Sequence, residues 1–255
     1  SVGVYAQFTK KQNCISSGRW GAQCFAVDKY LYAGGGYIGG YTLNDWNMYD
    51  TAADKWTAKN PMPVSTNIDR SAGVTFVING KAYPGLGADN YLTTTGTTNF
   101  LKDLWEYDPV NDKWTQMQSL PDSGRASCGV FVVNNKAYIV GGETGSLGDK
   151  SNDTWEYDPA NNKWTSKKPF PVAVRNPFAF SVGSKGYIGG GVTIYYNSDM
   201  YEYDPSADSW AGKAPVPDSA RDGGIAFSYN NMGYIGLGGA DQYTRTFHSY
   251  NPASD

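Results

Sequence analysis

One pattern returns along this chain about every fifty residues, and it constrains the fold more than any other feature. A Tyr-Asp step occurs at Tyr49-Asp50, Tyr107-Asp108-Pro109, Tyr157-Asp158-Pro159 and Tyr203-Asp204-Pro205, with Tyr250-Asn251-Pro252 as an altered fifth copy. The first four lead to a tryptophan: Trp56, Trp114, Trp164 and Trp210. Ahead of each copy stands a tyrosine followed by glycines. These are Tyr32 with Gly34-Gly35-Gly36, Tyr83 with Gly85 and Gly87, Tyr138 with Gly141-Gly142, Tyr187 with Gly189-Gly190-Gly191, and Tyr234 with Gly236, Gly238 and Gly239. The tyrosines are 51, 55, 49 and 47 residues apart. A repeat of this length is one supersecondary unit that must stack on its neighbours to bury its apolar face.

Within each copy the signals are those of strands and tight turns. Val130-Phe131-Val132 and Lys136-Ala137-Tyr138-Ile139-Val140 alternate around Asn134-Asn135, which reads as two strands joined by a hairpin turn. In Tyr-Asp-Pro-x-x-Asp-Lys-Trp the aspartate can accept backbone N–H groups while proline presets the turn. With 31 Gly and 13 Pro the chain carries too many turn-formers for a helical protein, and 15% aromatic residues exclude a disordered one. The class is all-β.

Period and motif together resemble the Kelch repeat, in which each copy is one four-stranded antiparallel blade of a β-propeller. The resemblance runs the length of the chain and implies a five-bladed Kelch β-propeller, one domain over residues 1–255. The fifth copy stops before its tryptophan, and the missing strand matches the other terminus. Trp56 stands 14 residues before Arg70, which stands 13 before Tyr83; Tyr5 stands 14 before Arg19, which stands 13 before Tyr32. Val2–Phe8 is therefore expected to be the outer strand of the last blade, with Tyr5 in the tryptophan's place. Kelch propellers more often have six or seven blades, so a fragment lacking one repeat is the alternative.

The Kelch strand order puts the turn before each inner strand and the loop after the glycines on one face, where rigidly held loops usually carry function. Arg19, Arg70, Arg125, Arg175 and Arg221 open the inner strands. Asp45, Asp103, Asp153 and Asp199 lie four residues before the motif tyrosines, with Thr246 in the fifth place. These arginines either ring the channel mouth as an anion site or pair with the acids to tie loops to the rim. Repetition favours pairing, because binding sites usually break symmetry. The loops that differ carry Tyr37, Tyr41, Tyr91, Tyr195, Tyr196 and Tyr243 beside Glu143 and Arg245, and Ala88–Lys102 is the longest of them. Exposed tyrosine among polar residues suits a sugar ring or a peptide.

The expected function is non-catalytic binding or scaffolding, with a protein or glycan ligand at this top face and no cofactor. His248 is the one histidine, so it cannot supply a multi-histidine zinc or copper site, and it replaces Trp105 and Trp155 as a packing residue. The resemblance to galactose oxidase-type Kelch enzymes accordingly stops at the repeat. The alternative implied by the resemblance is a carbohydrate-active enzyme like the Kelch sialic acid mutarotases, with Arg125 and Arg175 holding a sugar carboxylate beside Glu143. A net charge of −3 disfavours nucleic acid, and no apolar run is long enough to span a membrane. Cys14, Cys24 and Cys128 are too few for a disulfide framework, and a Cys14–Cys24 pair stays open. The start at Ser1 is that of a processed chain or a fragment. Low charge with abundant Tyr, Asn, Thr and Gly leans toward an extracellular or cell-surface protein, of the kind found among bacterial Kelch proteins.

Overall fold

A computed structural model describes residues 9–255 except 20, 39–40, 64–69, 90–97, 146–147, 218–219 and 241–242. The strands fall into five antiparallel blades, each a meander in chain order, plus two short ribbons that pair Tyr37–Ile38 with Tyr41–Thr42 and Ala88–Asp89 with Asn99–Phe100, and the described residues form no helix. From inside outward, blade 1 is Gln23–Val27, Tyr30–Gly34, Trp46–Asp50 and Lys55–Lys59. Blade 2 is Val74–Ile78, Lys81–Gly85, Leu104–Asp108 and Lys113–Met117; blade 3 is Gly129–Val133, Lys136–Val140, Thr154–Asp158 and Lys163–Lys167. Blade 4 is Phe178–Val182, Lys185–Gly189, Met200–Asp204 and Ser209–Lys213. Blade 5 has three described strands, Ile225–Tyr229, Met232–Gly236 and Phe247–Tyr250. The strand expected at Val2–Phe8 and its Tyr5 lie outside the described residues.

The hairpin turns have the chemistry their sequences imply. Asn134-Asn135 and Asn230-Asn231 both take positive φ, as the two-residue loop with the right twist requires. Across each inner hairpin a phenylalanine pairs with the repeat tyrosine: Phe25 with Tyr32, Phe76 with Tyr83, Phe131 with Tyr138, Phe180 with Tyr187 and Phe227 with Tyr234. Their rings stack at 4.6–5.3 Å.

The core sits between blades and is built the same way four times. Each of the first four phenylalanines also meets the motif tyrosine of the next blade, Tyr107, Tyr157, Tyr203 or Tyr250, at 6.1–6.4 Å. Space for the ring comes from a small residue on the next blade's second strand: Ala82, Ala137, Gly186 or Gly233. At Gly186 a Cβ would fall within the Phe131 ring, and at Gly233 within that of Phe180, so any side chain at either position must displace the ring. Burying each of these aromatics contributes roughly 1.5–3 kcal/mol.

At the rim the Tyr-Asp turn works as a latch. The tyrosine hydroxyl donates to a residue five positions on, Tyr107 to Asp112 at 2.7 Å and Tyr203 to Asp208 at 2.6 Å, with Asn162 taking that place for Tyr157. The same acceptors take a backbone N–H from the preceding blade, Asn60 to Asp112 and Lys168 to Asp208, while each outer tryptophan donates back, Trp114 to Asn60 and Trp210 to Lys168.

The motif aspartates are held below the usual carboxylate range. The largest cause is the Ala53 N–H at Asp50, the Asn111 amide at Asp108, the Asn161 amide at Asp158 and Lys185 at Asp204. A carboxyl depressed on folding contributes stability above its unfolded value of about 3.9, and that contribution is lost as pH falls through the folded value. The melting temperature should therefore be nearly level from pH 7 to about 5 and drop steadily below about pH 4. Thermal denaturation followed by circular dichroism would check this; a curve level down to pH 2.5 would contradict it.

Candidate functional site at the loop face

The turn before each inner strand and the loop after each glycine run meet at one end of the blades, joined by single bridges: Ser71 with Ala88, Ala126 with Glu143, Arg175 with Val192, and Asp222 with Gly239. Neighbouring blades are stitched there by glycine N–H groups. Gly36 donates to the Arg70 carbonyl, Gly87 to Arg125, Gly142 to Val174 and Gly191 to Arg221, at 2.8–3.0 Å.

That stitching sorts the five arginines. Arg19 forms a bidentate pair with Asp45 and donates to the Gly35 carbonyl at 2.9 Å. Burial pushes the Asp45 carboxyl up, but the hydrogen bonds and charge of Arg19 outweigh it and hold the group below its ordinary value. Arg70 binds Asp103 at 2.5 Å and the Leu86 carbonyl. Arg125 is fully buried, with Asp122 at 2.7 Å, Asp153 at 3.3 Å and the Ser151 hydroxyl at 3.3 Å. Asp122 was not singled out by the sequence; the Ser123 N–H is the main cause of its lowered carboxyl pKa, and Arg125 adds to it. Arg221, also fully buried, donates to the Thr246 hydroxyl at 2.8 Å and the Pro217 carbonyl at 3.0 Å. These four are engaged by protein acceptors.

The fourth blade departs from this pattern. Its equivalent of Arg125 is Val174, whose carbonyl takes the stitching bond and whose side chain is buried. Arg175 stands one residue later, in register with Ser71, Ala126 and Asp222. A shift by one sends a strand side chain to the opposite side. Arg175 consequently pairs not with Asp199, which is exposed, but with Glu143 of the preceding blade at 3.6 Å, and its side chain remains 32% exposed. The spacing holds a signal of this. Arg19, Arg70, Arg125 and Arg221 each precede the inner-strand phenylalanine by six residues, whereas Arg175 precedes Phe180 by five.

Around Arg175 lie groups that no other blade repeats. Asn176 donates to Asp222 at 3.2 Å, while the loops of blades 4 and 5 present Ile194, Tyr195, Tyr196 and Tyr243, with Tyr195 80% and Tyr243 98% exposed. Arg245 is exposed beside them in sequence, and Tyr37 is half-buried on blade 1. Tyr91 and the middle of the Ala88–Lys102 loop lie outside the described residues, as does the side chain of Tyr41. A groove of about 620 Å³ opens at the other end of blades 1 and 2, lined by Val27, Tyr30, Met48, Lys59 and Val110. It is framed by the repeated hairpin and Tyr-Asp turns, whereas the loop face is where the repeats differ.

Reactive chemistry is sparse. His248 faces Ile235 in the strand register, as Trp155 faces Ile139 and Tyr201 faces Ile188. Cys14, Cys24 and Cys128 are not in disulfides. Burial pushes the Cys128 thiol up to about 12, so it is protonated and inert at neutral pH. Among the described residues no three His, Cys, Asp or Glu side chains are placed to hold a metal ion, and no helix is long and apolar enough to cross a membrane.

Known proteins with these features fall into one group. The KLHDC2/KLHL20/DRC7 Kelch-repeats domain model matches residues 6–142, and the Kelch motif model matches residues 124–171. Mouse Kelch-like protein 35 is 26% identical over 160 residues, covering 50% of this chain and 28% of its own length. N-acetylneuraminate epimerase 1 of Escherichia coli O6:H1 is 32% identical over 116 residues, covering 44% of this chain and 28% of its own. The chain thus spans little more than a quarter of either relative. The solved structure of YjhT superposes with a TM-score of 0.81 at 20% identity, covering 98% of this chain and 86% of that one, a likeness of fold. With four Tyr-Asp repeats and an altered fifth folded as five blades, the chain belongs to the Kelch-repeat family of β-propellers.

Proposed function

We propose that this Kelch propeller is a binding domain that takes a protein segment on the loop face of blades 4 and 5. The observation that carries the reading is the asymmetry there. Four arginines are consumed in architecture, while Arg175 leaves the ring and Ile194, Tyr195, Tyr196 and Tyr243 stand exposed in loops on a rigid scaffold. Tyrosine and arginine are the side chains that anchor interfaces, tyrosine with large contact area and few torsions to freeze, arginine with a planar fork of donors. The likeness to Kelch-like protein 35 supports the class.

Selecting displayed peptides against the immobilised domain tests the location. Tyr195→Ala or Tyr243→Ala should weaken selected peptides at least tenfold, roughly 1.4 kcal/mol, while Val110→Ala at the other end leaves them unchanged. Peptides sensitive to Val110→Ala alone would place recognition elsewhere.

A second reading, enzymatic action on an anionic sugar, is favoured by one observation. The partly exposed Arg175 beside Glu143 offers a cation for a sugar carboxylate next to a carboxyl group, and the chain resembles N-acetylneuraminate epimerase 1 over 44% of its length. N-acetylneuraminate raising the melting temperature of the wild type but not of Arg175→Ala would support it; no shift up to 10 mM, an order-of-magnitude ceiling for weak sugar sites, would count against it.

A further inference from the structure

Blades 2, 3 and 4 each hold a carboxylate on the repeat tyrosine, and blade 1 does not. Glu106, Glu156 and Glu202 face Tyr83, Tyr138 and Tyr187 across the second and third strands, and each accepts the phenol at 2.6–2.9 Å. A lysine completes each set: Lys81 lies 2.5 Å from Glu106, Lys136 2.6 Å from Glu156 and Lys213 3.7 Å from Glu202. In blade 1 the residue facing Tyr32 is Met48. The lysine that opens the second strand of blades 2 to 4 is replaced there too, by Tyr30.

This exchange removes the acceptor and leaves two of its donors. Tyr32 is 3% exposed, and its hydroxyl has no hydrogen-bond partner among the described residues, which is rare for a buried polar group. Burial pushes that hydroxyl up to about 12, so at neutral pH it keeps its proton and can donate it. Lys59 ends the outer strand of blade 1 as Lys213 ends that of blade 4. Lys213 is shared by two carboxylates, Glu202 at 3.7 Å and the turn residue Asp255 at 3.9 Å. Lys59 has the equivalent turn residue, Asp112, at 3.7 Å, but Met48 stands where the glutamate would be. Tyr32, Lys59, Tyr30 and Met48 all line the groove of about 620 Å³ that opens at the end opposite the loop face. Its apolar wall continues to Val110, 89% exposed, where the other Tyr-Asp turns carry Ala52, Ala160 and Ser206.

From this we infer that the groove between blades 1 and 2 is a binding site for a small amphipathic carboxylic acid. The acid's carboxylate takes the place that glutamate fills in blades 2 to 4, accepting from the Tyr32 hydroxyl and the Lys59 ammonium. Its apolar body covers Tyr30, Met48 and Val110. Tyr187 and Lys213 already hold Glu202 with this same pair of donors. Asp28 and Asp108 also line the groove, with Lys81 beside Lys59 to balance them. Neighbouring acids do not prevent such a site: burial pushes the Glu156 carboxyl up, yet Lys136 and Tyr138 hold it below its ordinary value with Asp158 close by. A mostly apolar cleft with a few convergent polar groups is the usual form of a small-molecule site. The inference is independent of the loop-face reading, since the two sites share no residue.

Hydrocinnamate and octanoate serve as probes, with their primary amides as uncharged controls, in titrations followed by ligand-observed NMR. At least one acid should saturate with a Kd of about 1 mM or tighter, and its amide should bind about tenfold more weakly or worse. Met48→Glu restores the residue of the other blades and should abolish binding of the acid, whereas Met48→Leu, which keeps the wall apolar, should retain it. Should Met48→Glu unfold the domain by circular dichroism, Lys59→Met carries the same test. It should weaken the acid about tenfold and leave the amide unchanged. Amides that bind as tightly as the acids, acid binding that survives Met48→Glu in a folded domain or Lys59→Met, or no saturation by either acid up to roughly 10 mM would overturn the inference.

Discussion

Arg125→Ala is expected to destabilise the domain by about 3–5 kcal/mol, a large part of a net stability of roughly 5–15 kcal/mol. The guanidinium is fully buried and holds Asp122, Asp153, Ser151 and the Gly141 carbonyl together. Removing it leaves a cavity, an acceptor without its donor and two carboxylates with no cation between them. Asp122 and Asp153 are about two-fifths exposed and can turn to water, which limits the loss to this range rather than a larger one. Arg125→Lys should recover little, because a point charge cannot reproduce the planar fork. Urea denaturation would measure it, and a loss under 1 kcal/mol would mean that the pair is not structural.

The second large effect is expected at Gly186. Leucine there drives its side chain into the Phe131 ring at the blade 3–blade 4 junction and should cost about 3 kcal/mol or more, while alanine, tolerated at the equivalent Ala82 and Ala137, should cost about 1 kcal/mol. Pairing Gly186→Leu with Phe131→Ala should give less loss than the sum of the two, with a coupling of roughly 0.5–3 kcal/mol. Strict additivity would show that the two residues do not share one space.

Much of this architecture is legible in the sequence because it depends on local chemistry repeated at a fixed period. Tyr107 and Asp112, Asn134-Asn135 and the Phe131–Tyr138 pair each announce a turn or a strand register on their own. Pairing of Arg19, Arg70 and Arg125 with Asp45, Asp103 and Asp153 follows from the same repetition. Arg175 does not, because a single-residue shift leaves composition and motif unchanged yet moves the side chain to the other side of the backbone. Only its five-residue spacing to Phe180 betrays the change.

The division of labour among the arginines is what the account stands on, and Arg175→Ala tests it most directly. Stability and affinity for a peptide selected on the wild-type domain should separate. A long ion pair at 3.6 Å whose arginine stays about a third exposed is worth about 0–1 kcal/mol, so the denaturation midpoint should barely move while peptide binding by calorimetry weakens at least tenfold. An unfolding loss comparable to that of Arg125→Ala, with affinity unchanged, would make Arg175 one more rim tie and contradict the reading.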